Sequence, residues 1–230
     1  MAELDILYED RELLVAVKPA GVESEAARGL EPDMVNRIRN HLAGSGREPY
    51  VGVIHRLDKP VSGIMVFAKS KESAAALSKE LRDGKMQKKY RAILCGQPKE
   101  KKGTLTDWLV QEKQGNRSRT GTKGEAGAKE ARLRYTLLRK KYLEGEQISE
   151  VEIELLTGRH HQIRVQFAAR GLPLMGDRKY NPAYEATPAA GLCGSSELGK
   201  QLCLCAYFLS FTHPKSRKRM QFSIEPPCSL

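Results

Sequence analysis

The sequence predicts an α+β fold: a single domain built on a mixed, largely antiparallel sheet with flanking helices and long loops. Three observations carry that reading. Short runs of alternating apolar residues recur along most of the 230 residues, a few stretches between them have helical spacing, and no internal repeat divides the chain. A chain of this length can bury a substantial core. Residues 1–230 are expected to form one domain, with its patterned core over about 6–227.

Residues 6–8 and 13–17 read as short strands around the turn Glu9-Asp10-Arg11. Over residues 32–42, Met34, Val35, Ile38 and Leu42 fall at helical spacing, while Arg37 and Arg39 take other faces. Residues 50–54 lead into a turn at Asp58, and residues 64–69 lead out of it. Ser70 is placed to cap a helix over 71–82 that ends near Gly84. Strands are expected at 89–95, 132–140 and 151–155, the last with Val151, Ile153 and Leu155 alternating. Residues 161–170 read as a helix with Ile163 and Phe167 inward, closed by Gly171. A final hairpin joins 201–211 to 220–224 through a cation-rich loop. Segments 111–129 and 181–200 are poor in large apolar residues and read as long surface loops within the domain.

Composition narrows the function. The 39 Lys and Arg against 28 Asp and Glu leave a formal charge of +11, which attracts polyanions. With no lipid anchor and no basic amphipathic helix, nucleic acid is the expected partner and a membrane is not. No apolar run approaches the roughly 18 residues of a membrane span, and the acidic start Met1-Ala2-Glu3-Leu4-Asp5 lacks the features of an export signal. A cytoplasmic protein is expected. Its five cysteines (Cys95, Cys193, Cys203, Cys205 and Cys228) are unpatterned and are read as reduced thiols. Their spacing offers no zinc motif, the histidines offer no HExxH pair, and the chain lacks GxxxxGK[ST]. No metal and no cofactor are expected.

One stretch concentrates chemistry. His55-Arg56-Leu57-Asp58-Lys59-Pro60-Val61-Ser62-Gly63 sets a carboxylate between two cations and then breaks the backbone with Pro60 and Gly63. Fixed positive charge on either side favours the ionised form of a carboxylate. Pro and Gly permit a tight turn and a close approach of the backbone to a ligand. Read from these residues alone, Asp58 is either a reactive carboxylate or a surface ion pair.

The wording of this stretch resembles the catalytic motif of RNA pseudouridine synthases of the RluA type. The resemblance continues in order along the chain. Val17-Lys18-Pro19-Ala20-Gly21-Val22 is similar to the family's KPxG motif, and Lys88-Lys89-Tyr90-Arg91-Ala92 to its KxYxA strand. Residues 156–165, including Thr157-Gly158-Arg159-His160-His161-Gln162-Ile163-Arg164, resemble its TGRxHQIR segment. Gly176-Asp177 with Tyr180, and Leu209-Ser210-Phe211-Thr212-His213-Pro214, continue the match. Three departures stand out: Val61 and His160 where Thr is common, and Glu23-Ser24-Glu25 in place of the usual apolar and His residues. The resemblance implies a long bent sheet crossed by an RNA cleft, without the small N-terminal RNA-binding domain of larger members.

It also implies roles. Asp58 is the catalytic carboxylate, which stabilises or attacks an electron-poor centre at the sugar or the base. Tyr90 packs on the target uracil and assists proton transfer. Arg164 pairs with Asp58 in a planar fork that orients it, and a helix turn after Gly158 directs Gln162 and Arg164 toward a cleft. Arg56 and Lys59 serve as phosphate or structural contacts, Lys88 and Lys89 neutralise phosphates beside Tyr90, and Leu57 and Ile163 wall the base pocket. His55 and His161 are expected to orient loops by hydrogen bonds. The expected substrate is a uridine flipped out of a ribosomal or transfer RNA, acted on by a monomer. Two competing readings are a catalytically silent RNA-binding or assembly factor of the same fold and a small-substrate nucleosidase. The second calls for another catalytic carboxylate and has no use for the positive charge.

Overall fold

The computed structural model describes residues 4–25, 33–43, 48–143, 145–181 and 200–230. In chain order it carries β1 (Ile6–Glu9), β2 (Leu13–Lys18), α1 (Met34–Leu42), β3 (Gly52–Val53), β4 (Ser62–Ala68), α2 (Lys71–Arg82) and β5 (Gln87–Cys95). There follow β6 (Lys102–Gln111), β7 (Ser118–Gly121), β8 (Lys129–Leu143), β9 (Glu146–Leu155), α3 (Gln162–Ala168), β10 (Leu204–Thr212) and β11 (Arg219–Ser223). The class is α+β with a mixed sheet, as the strand pattern predicts. Contacts divide the chain into two compact units, residues 1–88 with 206–225 and residues 89–205 with 226–230.

In the first unit the strands run in the order β1-β2-β4-β10, with β3 also on β4 and β11 also on β10. β2 and β4 pair antiparallel from Leu13 opposite Ala68 to Lys18 opposite Gly63. Alternation sends Leu13, Val15, Ile64, Val66 and Ala68 to one face, where they join Leu77 of α2 and Leu209 and Phe211 of β10. Leu14, Ala16, Met65 and Phe67 take the other face and are equally dry. Burying each such large aliphatic or aromatic side chain contributes about 1.5–3 kcal/mol. Ser70 caps α2 as the sequence predicts, accepting from the Ser73 N–H at 3.1 Å, and α1 begins behind an unanticipated cap, Asp33, which accepts from the Asn36 N–H at 2.7 Å. Glu80 of α2 reaches the end of β10, its two oxygens accepting the Thr212 N–H at 2.8 and 2.9 Å. Gly63 has φ +137, and a Cβ there would sit 2.4 Å from the carbonyl oxygen of Ala206. The close approach that this glycine allows is therefore to the backbone of β10, not to a ligand.

In the second unit the order is β5-β9-β8-β6-β7, antiparallel at each pairing. Tyr90, Ala92, Val151, Ile153, Leu133, Tyr135 and Leu105 form a buried face. The Phe167 ring of α3 meets Tyr135 edge-on at 5.8 Å. A second cluster gathers Ile93, Ile148, Met175 and Cys203, with Cys95, Cys228 and Leu230 against it. The four described cysteines are free thiols.

The structure departs from the sequence expectation at 102–121. β6 was not anticipated, and β7 lies within the expected loop at 111–129. Of the other expected loop, residues 182–199, which include Cys193, lie outside the described residues, as does Pro32 at the start of the expected first helix.

Candidate active site

Asp58 is half-buried in the turn between β3 and β4. Its carbonyl accepts the Val61 N–H at 3.0 Å, which closes the turn around Lys59 and Pro60. The residues on either side are tied to the loop that follows β2. Before it, the Ser24 hydroxyl accepts from the Leu57 N–H at 3.0 Å and donates to the Leu57 carbonyl at 2.8 Å. After it, the Lys59 carbonyl accepts the Gly21 N–H at 2.8 Å and the Lys18 ammonium at 3.1 Å.

Lys18 has no solvent-exposed surface, and its ammonium also donates to the carbonyls of Val22 at 2.7 Å and Pro19 at 3.0 Å. Burial pulls it down to about 8, while the Asp58 charge pulls in the opposite direction. A buried cation with its three donors satisfied by carbonyls acts as a structural staple. The KPxG-like segment thus holds the Asp58 turn in place.

His55 accepts the Val66 N–H through Nε2 at 3.3 Å, so the neutral ring carries its proton on Nδ1. That Nδ1 is buried without a hydrogen-bond partner among the described residues. Burial, and then the positive charge of Lys88, push the imidazole down to about 3. His55 is therefore a neutral loop-setting group in β4's register, consistent with its expected role. Arg56 and Lys59 are exposed, Lys59 lying 4.0 Å from Glu23, and Leu57 is buried.

Tyr90 and Arg164 belong to the second unit. Tyr90 is buried in β5, and strand alternation places Lys88 on its face and Lys89 on the opposite one. Lys89 pairs with Glu152 at 3.2 Å, whereas burial lowers the pKa of Lys88. These two adjacent lysines, read together from the sequence, occupy different environments.

Ile163 and Arg164 are consecutive buried residues of α3. The Arg164 fork closes on Asp177, with Nε at 2.8 Å and Nη2 at 2.7 Å from its two oxygens. For those two nitrogens Asp177 takes the place that the resemblance gives to Asp58. Beneath the guanidinium lies the Tyr180 ring, 5.0 Å to its centroid. The Tyr180 hydroxyl accepts the Ser118 N–H at 2.8 Å and lies 2.7 Å from His161 Nδ1. Burial, with the Arg164 charge next, holds His161 neutral. Gln162 does not face a cleft. Its amide accepts from Thr157 Oγ1 and the Arg159 N–H and donates to the Arg132 carbonyl and to Gln166. The amide therefore braces the loop before α3.

In the sequence Asp177 and Tyr180 stand within a motif that assigns them no task, and Ser24 is visible only as a departure from the family's wording. Among the described residues there is no group of three or more potential metal ligands, and no helix is long and apolar enough to cross a membrane.

Comparisons agree on the class. The solved structure of human RNA pseudouridylate synthase domain containing 1 matches with a TM-score of 0.75 at 23% identity, over 98% of this chain and 84% of that one. The chain therefore has the pseudouridylate synthase fold. Residues 12–169 match the family described as RNA pseudouridylate synthase. An uncharacterised RNA pseudouridine synthase of Aquifex aeolicus is 34% identical over 228 residues, 97% of this chain and 70% of the relative. Ribosomal large subunit pseudouridine synthase D of Zymomonas mobilis is 34% identical over 229 residues, 97% and 69% respectively. The chain belongs to the RNA pseudouridylate synthase family, whose members are isomerases acting on RNA.

Proposed function

We propose that this protein isomerises a specific uridine in a ribosomal or transfer RNA, with Asp58 as the catalytic carboxylate acting on a flipped-out base. The observation that carries the reading is the Asp58 turn, its neighbours Leu57 and Lys59 held by Ser24, Gly21 and Lys18 inside a family-matched segment. A fixed carboxylate suits chemistry in which a developing charge must be met at one position.

The reaction cleaves the bond from ribose to the ring nitrogen, turns the uracil and rejoins it through a ring carbon, with no net redox change. Asp58 meets the charge or bond that develops when the glycosidic link breaks. Tyr90 stacks on the detached uracil, and its hydroxyl handles a ring proton. Arg164, its fork anchored on Asp177, supplies fixed positive charge for the reaction. Leu57 and Ile163 wall the base, while Arg56, Lys59, Lys88 and Lys89 neutralise phosphates. In this reading residues 1–230 work as one catalytic domain, as a cytoplasmic monomer without metal or cofactor. The presence of Asp58, Tyr90 and Arg164 together disfavours the silent-factor reading.

The test uses bulk RNA from a strain lacking the protein. After incubation with the purified chain, carbodiimide-dependent reverse-transcription stops map new pseudouridines. A discrete new stop, absent with Asp58→Asn, is the expected result. RNA binding without any new stop would favour the silent factor.

A further inference from the structure

Ser24 lies just beyond the KPxG-like segment, at a position where the chain departs from the family's wording. It is 4% exposed, and its hydroxyl contacts both backbone groups of Leu57, accepting the N–H at 3.0 Å and donating to the carbonyl at 2.8 Å. A neighbouring strand would satisfy one residue in much this way, but here a single side chain does it. The Leu57 carbonyl belongs to the peptide that continues into Asp58, so its direction fixes one end of the Asp58 backbone. At the other end the Asp58 carbonyl accepts the Val61 N–H, and one residue further on the Lys59 carbonyl is held by Gly21 and Lys18.

We propose that Ser24 is a positioning residue for the isomerisation, setting the direction of the Asp58 carboxylate by locking the Leu57 peptide groups. The proposal rests on Asp58 being the catalytic carboxylate. Without the hydroxyl, Leu57 keeps two buried backbone groups with one partner fewer each, and the peptide before Asp58 gains freedom to rotate. Displacement of a reacting group by about 1 Å is enough to cost on the order of a hundredfold in rate. Ser24 touches no reacting atom in this account, so its removal acts on the chemical step and not on RNA capture.

The experiment compares Ser24→Ala, Ser24→Cys and Asp58→Asn with the parent. Turnover at saturating RNA is read well below each variant's unfolding midpoint, and RNA affinity is measured separately. A thiol keeps the shape of the hydroxyl but donates and accepts weakly. The expected order of kcat is therefore parent, then Ser24→Cys, then Ser24→Ala, the last down about tenfold to a hundredfold, with RNA affinity unchanged within about twofold. Folded Ser24→Ala or Ser24→Cys with parental kcat, beside an inactive Asp58→Asn, would overturn the positioning role and leave the Asp58 reading standing. Loss of RNA affinity with kcat kept would overturn it too, by making Ser24 part of an RNA-contacting loop. Parental turnover by Asp58→Asn would instead remove the reading beneath it. Should Ser24→Ala not fold, Ser24→Cys alone decides between these outcomes.

Discussion

Arg164 and Asp177 form a buried two-point fork, 2.8 and 2.7 Å long, with both side chains nearly inaccessible to water. Such a pair is retained only if its remaining hydrogen-bonding capacity is met. Asp177 Oδ1 also accepts the N–H groups of Lys179 at 2.9 Å and Tyr180 at 3.2 Å. The Tyr180 ring supports the guanidinium, and its hydroxyl is fixed in turn by Ser118 and His161. Arg164 is thus fixed by a chain of contacts running from β7 to α3, and Asp177 is its anchor.

Asp177→Asn should therefore leave the shape of the fork and remove its charge. Breaking one side of a buried ion pair costs about 3–5 kcal/mol, and the retained amide oxygen should hold the loss near the lower figure. Urea unfolding measures it. Turnover should fall as well, because the guanidinium gains alternative orientations. A variant as stable and as active as the parent would show that Arg164 needs no partner at this position.

Asp58→Asn tests the chemistry. An amide is nearly isosteric but carries no charge, so isomerisation should be lost while RNA affinity survives. A rate within about tenfold of the parent, only ~1.4 kcal/mol in the barrier, would remove Asp58 from the catalytic role.

Tyr90 can be divided into ring and hydroxyl. Tyr90→Phe should keep substantial RNA affinity, and Tyr90→Leu should lose about 1–3 kcal/mol of stacking. If the hydroxyl moves a proton, Tyr90→Phe binds RNA but turns over slowly. Parental turnover by Tyr90→Phe would leave Tyr90 a stacking role only.

These assignments differ in how far the sequence alone could carry them. α2 was readable because Ser70 supplies a cap, Leu77 and Leu81 keep helical spacing, and the run has no internal Gly or Pro. β6 was not, because only Leu105 and Leu109 mark its inward face. At the position between them Asp107 points a carboxylate at Gln166, 2.7 Å away, and Arg170, 2.9 Å away. β7 has no apolar residue; its ladder with β6 and the contacts of Ser118 with Tyr180 and His160 place it. At the site, Asp58 stands out by its charged neighbours and its turn residues. The Arg164–Asp177 pair does not, since 13 positions and the end of a helix separate its members. Ser24 and Leu57 lie 33 positions apart, and only the folded chain brings them together.

Lys88 and Lys89 should separate in salt titrations. The resemblance implies that both contact phosphates, yet Lys89 is already paired with Glu152 on the face opposite Tyr90. Each phosphate neutralised on a single strand contributes a slope of about −0.7 to log affinity against log salt. Lys88→Ala should make the slope shallower by up to about 0.7, and Lys89→Ala by less. Equal effects from the two variants would mean that RNA binding displaces Glu152 from Lys89. No effect from Lys88→Ala would put that side chain outside the RNA path.

His55 predicts how the fold responds to acid. Its ordinary value is 6.5, and in the folded chain burial, then Lys88, push it down to about 3. As pH falls below 6.5 the unfolded imidazole takes up a proton that the folded one refuses, so the unfolded state binds more protons and stability declines. The loss runs from about 6.5 down to about 3 and is absent above 6.5. At pH 5 the contribution is about 2 kcal/mol, from ~1.4 kcal/mol per pH unit over the interval below 6.5. His55→Gln removes the titration and can still offer an oxygen to the Val66 N–H. Urea unfolding at pH 7 and at pH 5 should show the parent losing more stability than His55→Gln by roughly that amount. The same pH-dependence in both proteins would mean that His55 titrates alike folded and unfolded, and that its ring is not held neutral against β4.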